Sequence, residues 1–278
     1  VDDRPIGMFD SGFGGLTVAR AVMDLLPEED LVYLGDTARY PYGPRPLQEV
    51  AGFAHQIAEE LVERRGVKLL VVACNTAAAA ALDTLADALD VPVVGVIEPG
   101  ARAVLSATVT GRLGVIGTVG TIDSGAYQRA VAALLARGDA SAPQDREVEL
   151  HALACPGFVE FVERGEFDGP QVELLAARLL APAVEAKIDT LLLGCTHYPY
   201  LARTIGEVMG RDVVMVSSAD ETAFEVRRLL HQRDMGAGPR STEARAAFVT
   251  TGDVNRFEEL GRRLLGPELA RAERIRWP

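Results

Sequence analysis

The chain has 278 residues, 48% of them hydrophobic, enough for two ordinary α/β domains or one large one. Its formal net charge of -12 disfavours binding to nucleic acid or to an anionic membrane surface, and no basic run reverses that sign. No apolar stretch reaches the length of a membrane span, so a membrane partner is not expected.

Ile6 to Phe9 reads as a strand ending at Asp10. The turn Ser11-Gly12-Phe13-Gly14-Gly15 leads to a helix from Leu16 to Leu26, stopped by Pro27. Asp2, Asp3 and Arg4 stand where a secretory leader would begin, so a cytoplasmic protein with reduced thiols is expected. A strand from Leu31 to Leu34 ends in Gly35-Asp36-Thr37. The prolines of Arg39-Tyr40-Pro41-Tyr42-Gly43-Pro44-Arg45-Pro46 stiffen that loop into a fixed wall. Leu47 to Arg65 has helical apolar spacing, with Gly66 as its C-cap. LLVVACNTAAAAAL, residues 69–82, is a buried strand that turns at Cys74 into an alanine-rich helix, and Val93 to Ile97 reads as a further strand.

A second unit begins near Pro99. Arg112 to Ile116 is a strand, Gly117-Thr118-Val119-Gly120-Thr121 its turn, and Tyr127 to Ala136 a helix. After a polar loop, 138–147, a strand from Val148 to Leu153 leads to Cys155-Pro156. Helices follow at Phe158 to Arg164 and Gln171 to Ala186, the second expected to kink at Pro182. TLLLGCTHYPYL, residues 190–201, repeats the earlier device: a buried strand, Cys195, the polar pair Thr196-His197, and Pro199 opening a helix. Val213 to Val216 is a strand, and Ser218-Ala219-Asp220-Glu221 fits a capping box for a helix through Leu230. A glycine- and proline-bearing linker, 234–241, precedes a strand from Phe248 to Thr250 and a helix from Val254 to Leu265.

Strand and helix alternate throughout, so the fold class is α/β, with mostly parallel sheets flanked by helices. Each half runs strand, polar glycine turn, helix, and later strand, cysteine, polar pair, helix. Asp10 leads Cys74 in one half as Thr118 leads Cys195 in the other. Two similar, pseudo-twofold-related lobes are therefore expected to face each other, with one cysteine from each at a shared site.

Two such thiols suit inversion of a carbon that bears an acidic hydrogen. One removes the proton from one face and the other supplies a proton to the opposite face, in either direction. Each sulfur needs to lie ~3–3.5 Å from that carbon. The two sulfurs would then be roughly 7 Å apart, too far for a disulfide. A free thiol is only about 3% ionised at pH 7, and a helix N-terminus, expected at both cysteines, favours the thiolate. Asp10 and His197 are candidates to accept or return protons. The plainer readings are that the cysteines are buried apolar residues, that Asp10 caps a helix, and that His197 is a core histidine. Three cysteines give no disulfide framework, and no Cys/His spacing fits zinc, so no metal is expected.

The chain resembles the glutamate racemases, cofactor-independent enzymes that make D-glutamate for peptidoglycan. The resemblance rests on FDSGFGGLTV (9–18), YLGDTARYPYGP (33–44), ACNTA (73–77), GVIGTVGTIDSGAY (114–127), ACPGFVEFVE (154–163), GCTHYPYL (194–201) and TTGDVNRF (250–257). It implies that Cys74 and Cys195 are the acid/base pair, assisted by Asp10 at Cys74 and by His197 and Glu163 at Cys195. It implies that Asp10, Ser11, Tyr42, Gly43, Asn75, Thr76, Thr196 and His197 meet the substrate, with Thr118 and Thr121 lining the pocket. Glu163 is carried over by its place in CPGFVEFVE, where relatives usually have proline at the position of Glu160. The resemblance also implies no cofactor, glutamate as the small-molecule partner, and a homodimer of variable arrangement. It implies a first lobe of residues 1–98 plus 212–278 and a second of 99–211.

Three other readings compete. A two-lobed amino-acid-binding module would share the cleft but gain nothing from paired thiols. A dehydrogenase built on Gly12-Phe13-Gly14-Gly15 lacks the last glycine of GxGxxG, where Thr17 stands. Aspartate could replace glutamate as substrate. Pyridoxal phosphate is disfavoured, since the only lysines, Lys68 and Lys187, precede strands at the end remote from the cysteines.

Overall fold

In a computed structural model, which describes residues 1–143, 145–238 and 245–277, the apolar runs of the first half become parallel strands. The elements are β1 (Ile6–Asp10), α1 (Leu16–Leu25), β2 (Leu31–Gly35), α2 (Leu47–Glu59), β3 (Leu69–Val72), α3 (Asn75–Ala88), β4 (Val93–Gly95) and α4 (Ile97–Ala107). The second half adds β5 (Arg112–Gly117), α5 (Val119–Asp123), α6 (Ala126–Ala136), β6 (Glu149–Ala154), α7 (Phe158–Glu163), α8 (Pro170–Glu185), β7 (Thr190–Leu193), α9 (Ala202–Met209) and β8 (Val214–Ser217). It closes with α10 (Ser218–Gln232), β9 (Ala246–Thr250), α11 (Val254–Leu265) and β10 (Ala272–Arg274).

β1, β2 and β3 are buried along their whole length, as parallel strands covered by helices on both faces must be. Two sheets result, ordered β10-β9-β2-β1-β3-β4 and β6-β5-β7-β8, with every pairing parallel. The order β2-β1-β3-β4 is repeated by β6-β5-β7-β8, so the expected duplication is present in the topology. Register sharpens the equivalence. Phe9 lies opposite Val72 and Ile116 opposite Leu193. Counting two residues on from each pair, past the strand ends, matches Ser11 with Cys74 and Thr118 with Cys195. The counterpart of Thr118 is thus Ser11, not Asp10 as the spacing suggested; Asp10 is matched by Gly117.

Some boundaries differ from expectation. Residues 97–107 form a helix, where Ile97 was expected to end a strand and a second unit to begin near Pro99. Pro99 falls in its first turn, where a missing N–H costs no intrahelical bond. The cap of α10 is Ser217, whose side chain accepts from Ala219 N, because β8 ends one residue before the expected Ser218. α8 runs unbroken through Pro182. β8 pairs with β7, so residues 214–217 belong to the four-stranded sheet, while α10 packs on α1 and β9 pairs with β2 in the six-stranded sheet. Residue 144 of the predicted polar loop and residues 239–241 of the predicted linker lie outside the described residues. No helix among the described residues is long and apolar enough to cross a membrane.

The two sheets share one core cluster, which α4 and α10 bridge by packing on each other, with α10 also on α1 and α4 on α6. Near the site, Phe257 of α11 is fully buried, stacked on Phe13 at 5.1 Å and on Tyr33 at 6.5 Å. Phe13 belongs to the glycine turn, so α11 holds that turn from behind. Phe257→Ala is expected to lower stability by about 3–5 kcal/mol, read from urea unfolding at constant m-value.

Candidate active site

The carboxyl ends of the strands next to β1 and β5 open on one cleft, where parallel sheets bind ligands. β1 delivers Asp10 and Ser11, β3 delivers Cys74, and β7 delivers Cys195, Thr196 and His197. These residues line a cavity of about 580 Å³, including its mouth, together with Tyr42, Gly43, Asn75, Thr76 and Thr118. Both sulfur-bearing residues are thus in the same cavity, each only 5% exposed and free of disulfide bonding.

Two of the expected residues stand one step back. Thr121 Oγ1 lies 2.9 Å from Thr118 Oγ1 and 3.2 Å from Thr76 Oγ1. Glu163 Oε1 lies 2.8 Å from His197 Nε2. Several wall residues escaped the sequence reading, among them Tyr40, Cys155 and Val119, while of the two acidic side chains in CPGFVEFVE it is Glu160 that lines the cavity. Tyr40 lies in the proline-stiffened loop, which was itself readable as a wall. Cys155 had no such signal: only the register, Gly117 opposite Ala154 as Asp10 is opposite Gly35, shows it to be the counterpart of Asp36.

The glycine turn has a packing role. A Cβ on Gly14 would collide with His197 Nδ1 and Thr196 Oγ1, and one on Gly12 would lie 2.8 Å from Glu163 Oε1. The turn is a saddle on which the second lobe's polar residues sit, with no room for a dinucleotide's pyrophosphate. Short polar side chains complete the seam. Thr196 Oγ1 donates to Asp10 Oδ2 at 3.2 Å, Thr76 and Thr118 hydroxyls meet at 2.9 Å, and Asn75 Nδ2 donates to Tyr127 OH at 2.7 Å.

The surroundings of the two thiols differ. Cys74 is the N-cap residue of α3, as expected, and its thiol donates to Ser11 Oγ at 3.8 Å. Burial and the Asp10 carboxylate nevertheless push this thiol up to about 12, against the backbone N–H of Ala77 and the Ser11 contact. Cys195 is not at an α-helix N-terminus: a 3₁₀ turn, Tyr198–Leu201, with Pro199 in it, separates it from α9. Its neighbour is His197 Nδ1, 3.8 Å from the sulfur. Burial alone would lower the pKa of His197, but its bonds to Cys195 and Glu163 outweigh that and hold it well above the ordinary value. Burial raises the Asp10 carboxyl, partly offset by the charge of His197 and the N–H groups of Gly12 and Gly15. Cys155 is also pushed up to about 12, by burial and by Cys195. Among the described residues no cluster of His, Cys, Asp or Glu is arranged to hold a metal ion.

Each of two repeated α/β units thus places one thiol in the same buried cavity, with a carboxylate or an imidazole beside it. Comparison with known proteins gives the family. The Asp/Glu/Hydantoin racemase family model matches residues 16–224. Glutamate racemase of Corynebacterium diphtheriae is 49% identical over 275 residues, 99% of each chain. A glutamate racemase isoform from Bacillus anthracis superimposes with a TM-score of 0.89 at 41% identity, covering 100% of this chain and 98% of that one. Glutamate racemase from Francisella tularensis, solved in complex with D-glutamate, gives 0.88 at 32% identity, covering 99% and 98%. The chain belongs to the Asp/Glu/hydantoin racemase family, in its glutamate racemase group, and is an amino-acid racemase, an isomerase.

Gly14→Ala should leave the fold intact but displace Thr196 and His197, lowering kcat/KM by about a hundredfold or more in a racemisation assay. In the free enzyme, alkylation of Cys74 by iodoacetamide, followed by peptide mass spectrometry, should still accelerate beyond pH 9.0, the ordinary thiol value. A rate that levels off there would contradict the assigned shift. Since the folded-state value lies above the unfolded one, this proton's contribution to stability is whole below pH 9.0 and is lost on the way to about 12.

Proposed function

We propose that the enzyme interconverts L- and D-glutamate by two-thiol acid/base chemistry without a cofactor, with Cys74 and Cys195 acting on opposite faces of the α carbon. The observation that carries this reading is the presence of both cysteines in one cavity, at equivalent strand ends of a repeated topology. The glutamate racemases among its full-length relatives, one of them solved with D-glutamate, support the choice of substrate.

For one enantiomer, the thiolate of Cys74 takes the α hydrogen while the thiol of Cys195 gives its proton to the other face. For the mirror image the roles exchange. Before the first of these reactions Cys74 must lose a proton, and Asp10 is its neighbouring base; burial raises the carboxyl and so strengthens it as a base. At Cys195, His197 passes the proton, and Glu163 orients the imidazole and balances its charge.

Glutamate brings two carboxylates and an ammonium. Hydroxyls of Ser11, Thr76, Thr118 and Thr196, with the backbone at Tyr42 and Gly43, supply neutral donors for the carboxylates, and Thr121 steadies two of the hydroxyls. Asp10 and Asn75 Oδ1 serve the ammonium. Asn75 Oδ1 is buried with no protein partner, while its Nδ2 is held by Tyr127. The cellular role proposed is cytoplasmic supply of D-glutamate for peptidoglycan.

With L-glutamate alone, circular dichroism should decay to zero, and in heavy water the α position should acquire deuterium. Cys74→Ser and Cys195→Ser should each lower racemisation by about a thousandfold or more while the far-UV spectrum is retained. Constant ellipticity with folded wild-type protein would refute the reaction, and faster turnover of L-aspartate would change the substrate.

A further inference from the structure

Asp36 is fully buried, yet it has no place in the chemistry above. Its Oδ1 accepts from Thr251 Oγ1 at 2.8 Å and from Trp277 Nε1 at 3.0 Å. Its Oδ2 accepts from Arg39 Nε at 2.6 Å and from the hydroxyl of Tyr42. The two oxygens thus face different parts of the molecule. One is fixed by the segments after β9 and β10, and the other holds a wall of the substrate cavity.

A second connection runs through rings. The Arg39 guanidinium lies over two rings, Phe53 with its centroid at 4.2 Å and Trp277 at 4.6 Å. Phe53 in turn packs against Tyr42 with centroids 5.5 Å apart. Beyond Tyr42, Gly43 O accepts from Gly120 N of the opposite lobe at 3.0 Å, and the side of Gly43 that lacks a Cβ lies against Thr118. Trp277 is therefore joined to the cavity by an unbroken series of contacts, although it does not line the cavity.

From this arrangement we infer that Trp277 is a positioning residue of the substrate site: its N–H fixes the plane of the Asp36 carboxylate, which in turn sets Tyr42 and Gly43. The physical reason is that a carboxylate with two donors on each oxygen cannot rotate without breaking bonds to both. Removing the Trp277 donor leaves Oδ1 held by Thr251 alone, which loosens that rotation and lets the Oδ2 acceptor of the Tyr42 hydroxyl shift. The stacked ring over Arg39 is a separate contact, so the N–H can be removed while the packing stays. The effect falls on binding, because Tyr42 and Gly43 hold substrate and bear no transferred proton. This inference rests on the reading of the cavity as the glutamate site.

Trp277→Phe keeps an aromatic ring over Arg39 and loses the donor. It should raise KM for L-glutamate by about tenfold, the loss of one hydrogen bond to a charged group, with kcat within about twofold of wild type. Adding Tyr42→Phe to this variant should cost much less than it does in wild type, because the two side chains act through one carboxylate. A purely structural tryptophan would lower the melting temperature and the active fraction and leave KM alone. Trp277 is the sole tryptophan, so its emission reports on this one position. In the wild type, emission should change as L-glutamate is added and saturate with binding. An unchanged KM in folded Trp277→Phe overturns the inference. If that variant does not fold, wild-type emission that stays fixed while glutamate turnover saturates overturns it equally. A wild type that does not racemise glutamate removes the reading of the cavity, which is a different failure.

Discussion

Parallel pairing of β3 with β1, and of β7 with β5, fixes where both sulfurs emerge. In a parallel sheet all strands run the same way, so everything just past their carboxyl ends collects at one edge. The repeated order and register put Cys74 and Cys195 at the same offset from their neighbouring strands. A slip of one residue in either pairing would turn that strand's side chains to the opposite face. The fully buried strands resist such a slip, since each residue already has a packed partner on its own side. The positions of the thiols are thus secured by the same core that secures the sheets.

The cavity residues are buried, and burial acts with opposite sign on acids and bases. It raises Cys74 and Asp10 together, so that one holds its proton and the other gains proton affinity. On His197 it acts downwards, and only the two acceptors at its ring nitrogens reverse the result. The lobes share a topology and differ in these local charges. Gly117 occupies the place corresponding to Asp10, and Asn75-Thr76 corresponds to Thr196-His197. The repeated topology gives the two thiols like positions, and single residues at non-equivalent points, Asp10 in one unit and His197 in the other, give them unlike neighbours.

The strands, the cysteine corners and the glycine turn were legible because each depends on local signals: apolar runs, breakers and spacing. What the turn was for was not legible, since Gly14 is required by Thr196 and His197, side chains from another lobe. α4 was hidden because Pro99 has opposite meanings in a first turn and in a helix interior. The assignment of β8 to the four-stranded sheet depends on which neighbour has an open edge, and periodicity carries no such information. Glu163 came only through resemblance, because the two glutamates in FVEFVE give no hint of which one meets a histidine 34 residues beyond Glu163. Asp36 and Trp277 are distant along the chain, and their contact exists only once β9 and β10 have returned to the first sheet.

The unlike surroundings of the two thiols raise a question of direction that thermodynamics answers. Under the proposed reaction the substrate and product are mirror images, with equal free energies in water. The ratio of kcat/KM in the two directions equals the equilibrium constant, which is one, whatever the site looks like. The raised Cys74 thiol and the imidazole beside Cys195 therefore cannot favour one enantiomer at equilibrium. Their difference can appear only as a division between kcat and KM, with any advantage in turnover for one enantiomer cancelled by an equal weakening in KM. Interactions made equally with both enantiomers, such as those through Tyr42 and Gly43, alter the two KM values alike. The asymmetric neighbours of the sulfurs are the groups free to set the two turnover numbers apart.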